Sequence, residues 1–289
     1  MNYRHAYHAG SLHDLFKHAV WLHLIARMQQ KPAPVLLVDS FAGAGLYNLE
    51  GTEASATGEA VIGIKKLMQM SDIAPSLQPL AAAVRRVNSS GLVKFYPGST
   101  LLALGNKRTD DHLVACELHP DEASKLKERV KAEQRVNHQQ NITVRAEDGL
   151  IALKSLLPTP LRRALVLLDP PYEKTDEYDR LARNLAQAYG RFPTGVFVLW
   201  YPLKDSVTTS RSAFARFWGE LQTQGVRHII AAEFSPEAKD AEGRLNGSGM
   251  MIINPPWQVE AEIMTIARNL AEALGLNGAR YGIKPLVGE

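Results

Sequence analysis

Short runs dominated by apolar residues recur along the chain at 35–40, 112–118, 142–146, 164–168, 196–201, 226–234 and 250–253. Their near-continuous Val, Leu and Ile content is that of strands buried on both faces. Between them, apolar residues spaced three and four apart predict helices over 11–28, 100–108, 120–134, 150–157, 175–192, 210–224 and 259–275. Strands and helices that alternate in this way build a parallel sheet covered on both sides. The last two strands are joined by a polar loop, 235–249, with no helix. A parallel connection needs a crossover, so that pair is expected to be antiparallel. The pattern therefore predicts one α/β domain over 1–289, a doubly wound, Rossmann-like sheet of seven strands with the last antiparallel, then a closing helix and a polar tail.

One excursion breaks the rhythm. Residues 57–70 and 76–91 read as two amphipathic helices separated by turn residues, which makes 47–95 a small helical insertion after the first strand. Lys65, Lys66, Arg85 and Arg86 give it basic positions, suited to phosphate or simply to water. The sheet-packing helix then begins late, and Ser99, after Tyr96-Pro97-Gly98, has the features of its N-cap. Capping accounts for Ser99; contact with a ligand at the open helix start is a second reading.

The strand ends carry the chemistry. The run ALVLL at 164–168 stops at Asp169, Pro170, Pro171 and Tyr172, and neither proline has an N–H with which to continue a ladder. Those side chains are delivered to the carboxyl end of a strand, where parallel α/β sheets bind ligands. They suit methylation of an exocyclic amine on a flipped base. Asp169 and the Pro170 carbonyl supply two acceptors for the NH2 group, and Tyr172 supplies a ring on which an extruded base stacks. The plain alternative is a strand-ending turn. A glycine loop, Phe41-Ala42-Gly43-Ala44-Gly45, follows the first strand, with Asp39 just before it, at the nucleotide-cofactor position of such folds. Glu117 ends the second strand, placed to accept from both hydroxyls of a ribose. Asp148-Gly149 ends the third, either to read an adenine amine or to make an Asp-Gly turn. Asn254-Pro255-Pro256-Trp257 is a rival tetrad, but it follows the final strand, outside the parallel run.

Composition narrows the class. With 289 residues, 45% hydrophobic and 22% charged, the chain has material for a full core, and no apolar run long enough to span a membrane is visible. The N-terminus has histidines and charges where a signal peptide needs an apolar stretch, so the protein is read as cytoplasmic. Cys116 lies in an apolar run and reads as a buried, inert thiol. A net charge of +3 permits a nucleic-acid partner without requiring one. Five of the nine histidines, His5, His8, His13, His18 and His23, fall near the start. No H-E-x-x-H pattern or i,i+4 histidine pair accompanies them, so no metal is expected. Ser11 and Asp14 form an S-x-x-D start signal for a helix to about Met28. The segment 1–28 reads as a partly basic cover over an active-site mouth, with Tyr3, His5 and Lys17 available to RNA or DNA.

The order of glycine loop, Glu117, Asp148 and D-P-P-Y is that of a class I S-adenosylmethionine-dependent amino-methyltransferase. More narrowly, the chain resembles the ribosomal RNA large subunit methyltransferase J (RlmJ) family, which methylates N6 of an adenine in 23S ribosomal RNA. The likeness runs over nearly the whole length, through YRHAYHAG with Lys17-His18, DSFAGAG, the helical insertion, YPGS, CELHP, EDG, LLDPPYE, LWYP and SGMMIINPPW. The resemblance implies an S-adenosylmethionine site made by His18, the loop at Phe41 and Gly43, Ser99, Glu117, Asp148, Gly149 and Asp169. It also implies that Asp169, Pro170 and Tyr172 carry the reaction and that Tyr3, His5 and Lys17 meet the RNA. Phe41 stands where the family often has histidine, which removes a polar side-chain contact but not the backbone ones. The partner implied is ribosomal RNA, with no membrane and no obligate protein partner. Two other classes remain. A protein for use of external DNA would need nuclease carboxylates or a secretion signal, and neither is visible; a DNA adenine methyltransferase is told apart by offering stripped RNA against duplex DNA as methyl acceptor; a nucleotide-binding module without catalysis would have no use for Asp169.

Overall fold

The computed structural model describes residues 5–138, 140–173, 176–204, 217–237 and 245–287. The strands are β1 (Leu36–Asp39), β2 (Leu46–Asn48), β3 (Phe95–Pro97), β4 (His112–Cys116), β5 (Ile142–Arg145), β6 (Ala164–Leu168), β7 (Val196–Lys204), β8 (Ile229–Ser235), β9 (Leu245–Ile253) and β10 (Arg280–Val287). The helices are α1 (Leu12–Gln29), α2 (Thr52–Thr57), α3 (Lys66–Met68), α4 (Gln78–Arg86), α5 (Ser99–Leu104), α6 (Pro120–Asn137), α7 (Gly149–Leu156), α8 (Glu177–Arg191), α9 (217–223) and α10 (Val259–Ala273).

The main sheet has the order β10-β8-β9-β7-β6-β1-β4-β5. From β5 to β7 its neighbours are parallel, and β9 inserts antiparallel between β7 and β8. This is the Rossmann-like arrangement of class I methyltransferases, with the expected reversed strand. Successive side chains point to opposite faces. Leu37, Leu113, Leu165, Leu167 and Val198 therefore meet α1, α4, α5 and α10, while Leu36, Val38, Val114, Val166 and Leu199 meet α7 and α8. Cys116 is fully buried, and burial pushes its thiol pKa up to about 12, which makes it inert.

Three expectations need correction. The polar tail is a strand: β10 pairs antiparallel with β8, so the sheet has eight strands. Its composition hides this, because its core contacts are spread over Tyr281, Ile283 and Leu286 among polar neighbours, with Tyr281 stacked on Phe234 at 6.4 Å between ring centroids. The last strand of the expected set starts at Leu245 rather than 250. Gly247 and Gly249 look like loop residues but are required by close approach. A Cβ would stand 2.5 Å from the Phe234 carbonyl oxygen at the first and 2.0 Å from the Tyr201 ring at the second. The helix expected over 57–70 runs over 59–68 and is interrupted by a π-helical turn, Val61–Lys65, before α3. Gly63 leaves helical geometry there because it rides on the Gly10 carbonyl, whose oxygen a Cβ would meet at 2.2 Å. The second insertion helix is α4, preceded by a 3-10 turn at Pro75–Leu77. β2 and β3, absent from the sequence reading, pair at the two ends of the excursion. Parts of the expected helix 210–224 and loop 235–249 lie outside the described residues.

A polar knot fastens the sheet's amino end. The buried Asp111 carboxylate accepts from Val35 N at 2.9 Å, Arg108 N at 2.9 Å, Arg108 Nη2 at 2.8 Å and Gln29 Nε2 at 3.0 Å. Burial opposes its charge, but these donors win and bring its pKa from the usual 3.8 to about 2. A depressed carboxylate stabilises the fold fully above its unfolded pKa and loses that contribution as pH falls through the folded one. Thermal unfolding of the wild type should therefore drop in midpoint between pH 4 and about 2 more steeply than that of Asp111→Asn, already destabilised at neutral pH. Parallel curves would remove Asp111 from this role.

Candidate active site

The carboxyl ends of β1, β4, β5 and β6 open onto a cleft of about 1040 Å³. His18, Phe41, Gly43, Ser99, Glu117, Asp148, Gly149 and Asp169 all line it, so residues scattered along the sequence meet here. Gly43 has φ +59°, and a Cβ would stand 2.1 Å from Tyr47 Oη; at Gly149 a Cβ would strike the Ser40 carbonyl oxygen at 2.0 Å. Both positions keep the floor bare. Glu117 is buried, its Oε2 accepting from Gly43 N at 2.8 Å and its Oε1 from His119 N at 2.7 Å. Burial pushes its pKa up, with the two amides opposing.

Ser99 is not the N-cap of α5. Gly98 holds that place, and the Ser99 hydroxyl donates to Asp39 Oδ2 at 2.6 Å, beside Thr100 Oγ1 at 2.7 Å. A buried carboxylate is a stronger acceptor than the helix start offers as a donor, so the hydroxyl turns inward. Asp39 Oδ1 has no close hydrogen-bond partner among the described residues, and burial raises the Asp39 pKa. Asp148 does cap: its Oδ1 accepts from Leu150 N at 3.0 Å, while its Oδ2 pairs with Arg180 of α8. An adenine amine approaching Asp148 thus competes with Arg180, a cleft residue that sequence reading missed because one arginine on a charged amphipathic helix carries no signal. His119, also missed, lines the cleft, and its buried Nδ1 has no partner among the described residues.

A second cavity, about 1080 Å³, shares His5, Lys17, Asp169 and Pro171 with the first and is further lined by His13, Asp14, Pro170, Tyr172 and Trp200. Tyr172 has φ +52°, a strained conformation for an aromatic residue. It is fixed by its own hydroxyl, which donates to the Trp200 carbonyl at 2.6 Å, and by the Tyr178 ring 5.0 Å away. Burial holds its phenol well above the ordinary pKa, so it stays a neutral donor.

The N-terminal segment builds the wall between the cavities. The S-x-x-D signal is met by Ser11 Oγ accepting from Asp14 N at 3.2 Å. Lys17 is 3% exposed, with its ammonium held by Asp14 Oδ1 at 2.7 Å and Asp169 Oδ2 at 2.5 Å. Expected at the RNA, it lines both cavities and is paired with two carboxylates. His5 Nε2 stands 3.0 Å from Asp14 Oδ2. His18 packs under the first cleft, 2.8 Å from Tyr96 Oη, and burial drives its pKa well down, leaving a neutral ring. His13 meets Ser248 Oγ at 2.9 Å, its pKa lowered by burial to about 4. Tyr3 lies outside the described residues. Among those residues no group of three or more His, Cys, Asp or Glu is arranged to hold a metal.

The rival tetrad sits elsewhere. Because β9 runs antiparallel to β7, its carboxyl end reaches the opposite rim of the sheet. Asn254 there donates to the carbonyls of Pro193 and Gly195 at 2.7 and 2.8 Å, fastening the turn into β7, and Trp257 is 80% exposed. Asn254→Ala should leave methyl transfer at the wild-type rate while lowering stability by about 1–2 kcal/mol, read by denaturant unfolding. A large loss of turnover with intact stability would bring this tetrad back into the chemistry.

The profile of a protein family described as "Ribosomal RNA large subunit methyltransferase D, RlmJ" matches residues 32–284. The chain belongs to the RlmJ family. Ribosomal RNA large subunit methyltransferase J of Escherichia coli (strain K12) is 35% identical over 92% of this chain and 91% of that protein. The protein of the same description from Haemophilus influenzae is 30% identical over 95% and 94%. A crystal structure of protein LPL1258 from Legionella pneumophila, 28% identical, has a TM-score of 0.83 and covers 96% of this chain and 98% of that one. The match to the RlmJ family takes in β1, β4, β5 and β6 at the cleft, and the N-terminal wall with His5 and Lys17 lies ahead of the matched residues.

Proposed function

We propose that this methyltransferase moves a methyl group from S-adenosylmethionine to N6 of an adenine in 23S ribosomal RNA, with the base flipped into the second cavity. The observation that carries the reading is that Asp169 lines both cavities at once, so a group bound in one is presented to the other across this carboxylate. The first cleft fits the methyl donor. It offers an anchored carboxylate, Glu117, for a ribose diol, the bare backbone at Gly43 and Gly149, and a His119 nitrogen with no partner among the described residues.

S-adenosylmethionine, when bound, supplies an electrophilic methyl on a sulfonium. The protein's own residues do the rest. Asp169 Oδ1 and the Pro170 carbonyl accept the two amine N–H groups, which turns the nitrogen lone pair out of conjugation and favours the attacking geometry. Tyr172, held by Trp200 and Tyr178, provides a fixed face for the purine. His5 and Tyr3 are assigned to the RNA beside the base. The test is mass spectrometry of ribosomal RNA nucleosides from cells with and without the gene, paired with in vitro transfer to deproteinised RNA or duplex DNA. An N6-methyladenosine that disappears with the gene is the expected result; an unchanged nucleoside profile, or transfer to DNA alone, would overturn it.

A further inference from the structure

Asp14 has a carboxylate that helix initiation does not use. Its Ser11 bond employs the backbone N–H, while the side chain, 3% exposed, accepts from Gly10 N at 3.0 Å, lies 3.0 Å from His5 Nε2, and pairs with Lys17 Nζ at 2.7 Å. One helical turn on, Lys17 reaches across to Asp169 Oδ2 at 2.5 Å, with only 4% of its side chain exposed. A buried ammonium with no counterion would shed its proton. Burial does act in that direction, but Asp14 and Asp169 together outweigh it and push the Lys17 pKa above its ordinary value. The carboxylate of Asp14 likewise stays ionised against burial, with His5 the first of its supports, followed by Lys17.

The trio of Asp14, Lys17 and Asp169 carries two negative charges against one positive. Lys17 needs one carboxylate for neutrality, and Asp14 supplies it from the sealed side. The excess negative charge then rests on Asp169, whose side chain is 16% exposed and whose Oδ1 has no hydrogen-bond partner among the described residues. Without Asp14, Lys17 would have Asp169 as its sole counterion and would draw both of its oxygens. We infer that Asp14 is a positioning residue for methyl transfer: it satisfies Lys17, so that Lys17 holds Asp169 by one oxygen and leaves the other to the substrate amine. This rests on the reading of Asp169 as the amine acceptor.

The test compares full-length wild type, Asp14→Asn, Lys17→Met and the double variant, using S-adenosylmethionine and deproteinised 23S ribosomal RNA lacking the modification. Asparagine keeps the shape and an acceptor for His5 but removes the charge. The kcat of Asp14→Asn is expected to fall about 100-fold, with the RNA KM and the calorimetric Kd for S-adenosylmethionine within about threefold of wild type. The double variant should be no slower than Lys17→Met alone, because the two residues act as one unit. A near-wild-type kcat for Asp14→Asn, or losses that multiply in the double variant, would overturn the inference. Should Asp14→Asn not fold, Lys17→Met against the double variant carries the same comparison, since both members of the buried pair are then neutral.

Failure of the wild type to methylate RNA would count against the proposed function instead. The device at Lys17 is then read without turnover, by nitrogen NMR of its side chain. The titratable groups facing it are Asp14 and the neutral His18 from α1, His5 from the preceding turn and Asp169 beyond β6. In the wild type the ammonium signal should persist to about pH 11, and in Asp14→Asn its midpoint should fall by about one unit or more. Equal midpoints would overturn the role given to Asp14.

Discussion

Asp169→Ala is expected to reduce methyl transfer by about 100- to 1000-fold, the scale of losing a preorganised acceptor that acts in the transition state. The fold should survive. Asp169 stands just past the end of β6 with part of its side chain open to the cavities, and Lys17 retains Asp14 as counterion after the substitution. S-adenosylmethionine binding should persist too, since Glu117 and the glycine loop are untouched. Labelled-methyl transfer to unmodified RNA, thermal unfolding and calorimetry on the same preparation separate these outcomes. Near-normal turnover by the variant would end the assignment of Asp169 as acceptor.

Glu117→Ala should weaken S-adenosylmethionine binding about 100-fold. Two charge-assisted hydrogen bonds to a ribose, each contributing about 1.5 kcal/mol, amount to roughly that factor. The truncation also strands the amides of Gly43 and His119, which now rest on the carboxylate, so the glycine loop loses its tie to the end of β4. Saturating cofactor should restore most of the turnover, because Glu117 is remote from the amine. An unchanged calorimetric Kd would mean that the ribose lies elsewhere.

The parallel core was legible because each of its strands is a short apolar run closed by a polar signal, and Asp169 could be singled out because two prolines end the strand that carries it. What stayed hidden has physical causes. Gly247 and Gly249 are strand residues whose smallness answers to Tyr201 and Phe234, partners far away in sequence. The short ladder of β2 and β3 has no periodicity to read in three residues each. In the cleft, Glu117 followed from strand order, whereas Arg180 and His119 depend on which side of a helix or loop faces inward. The burial of Lys17 was equally illegible, because it depends on Asp14 and Asp169, carboxylates that sequence spacing does not bring to it together. Pattern also misjudged Ser99, whose hydroxyl found a carboxylate on another strand in preference to its own helix.

The paired segments β2 and β3 close the helical excursion at its base, while Ile64, Leu67, Leu80 and Val84 bury it in the same core as α1. Leu46 lies opposite Pro97, and Gly98 N donates to the Gly45 carbonyl at 2.7 Å, so the chain departs and returns at one spot. The crossover from β1 to α5 is thus tied at its base by this ladder and along its length by the core it shares with α1. Shortening the excursion would strip packing from the helix that carries Asp14 and Lys17.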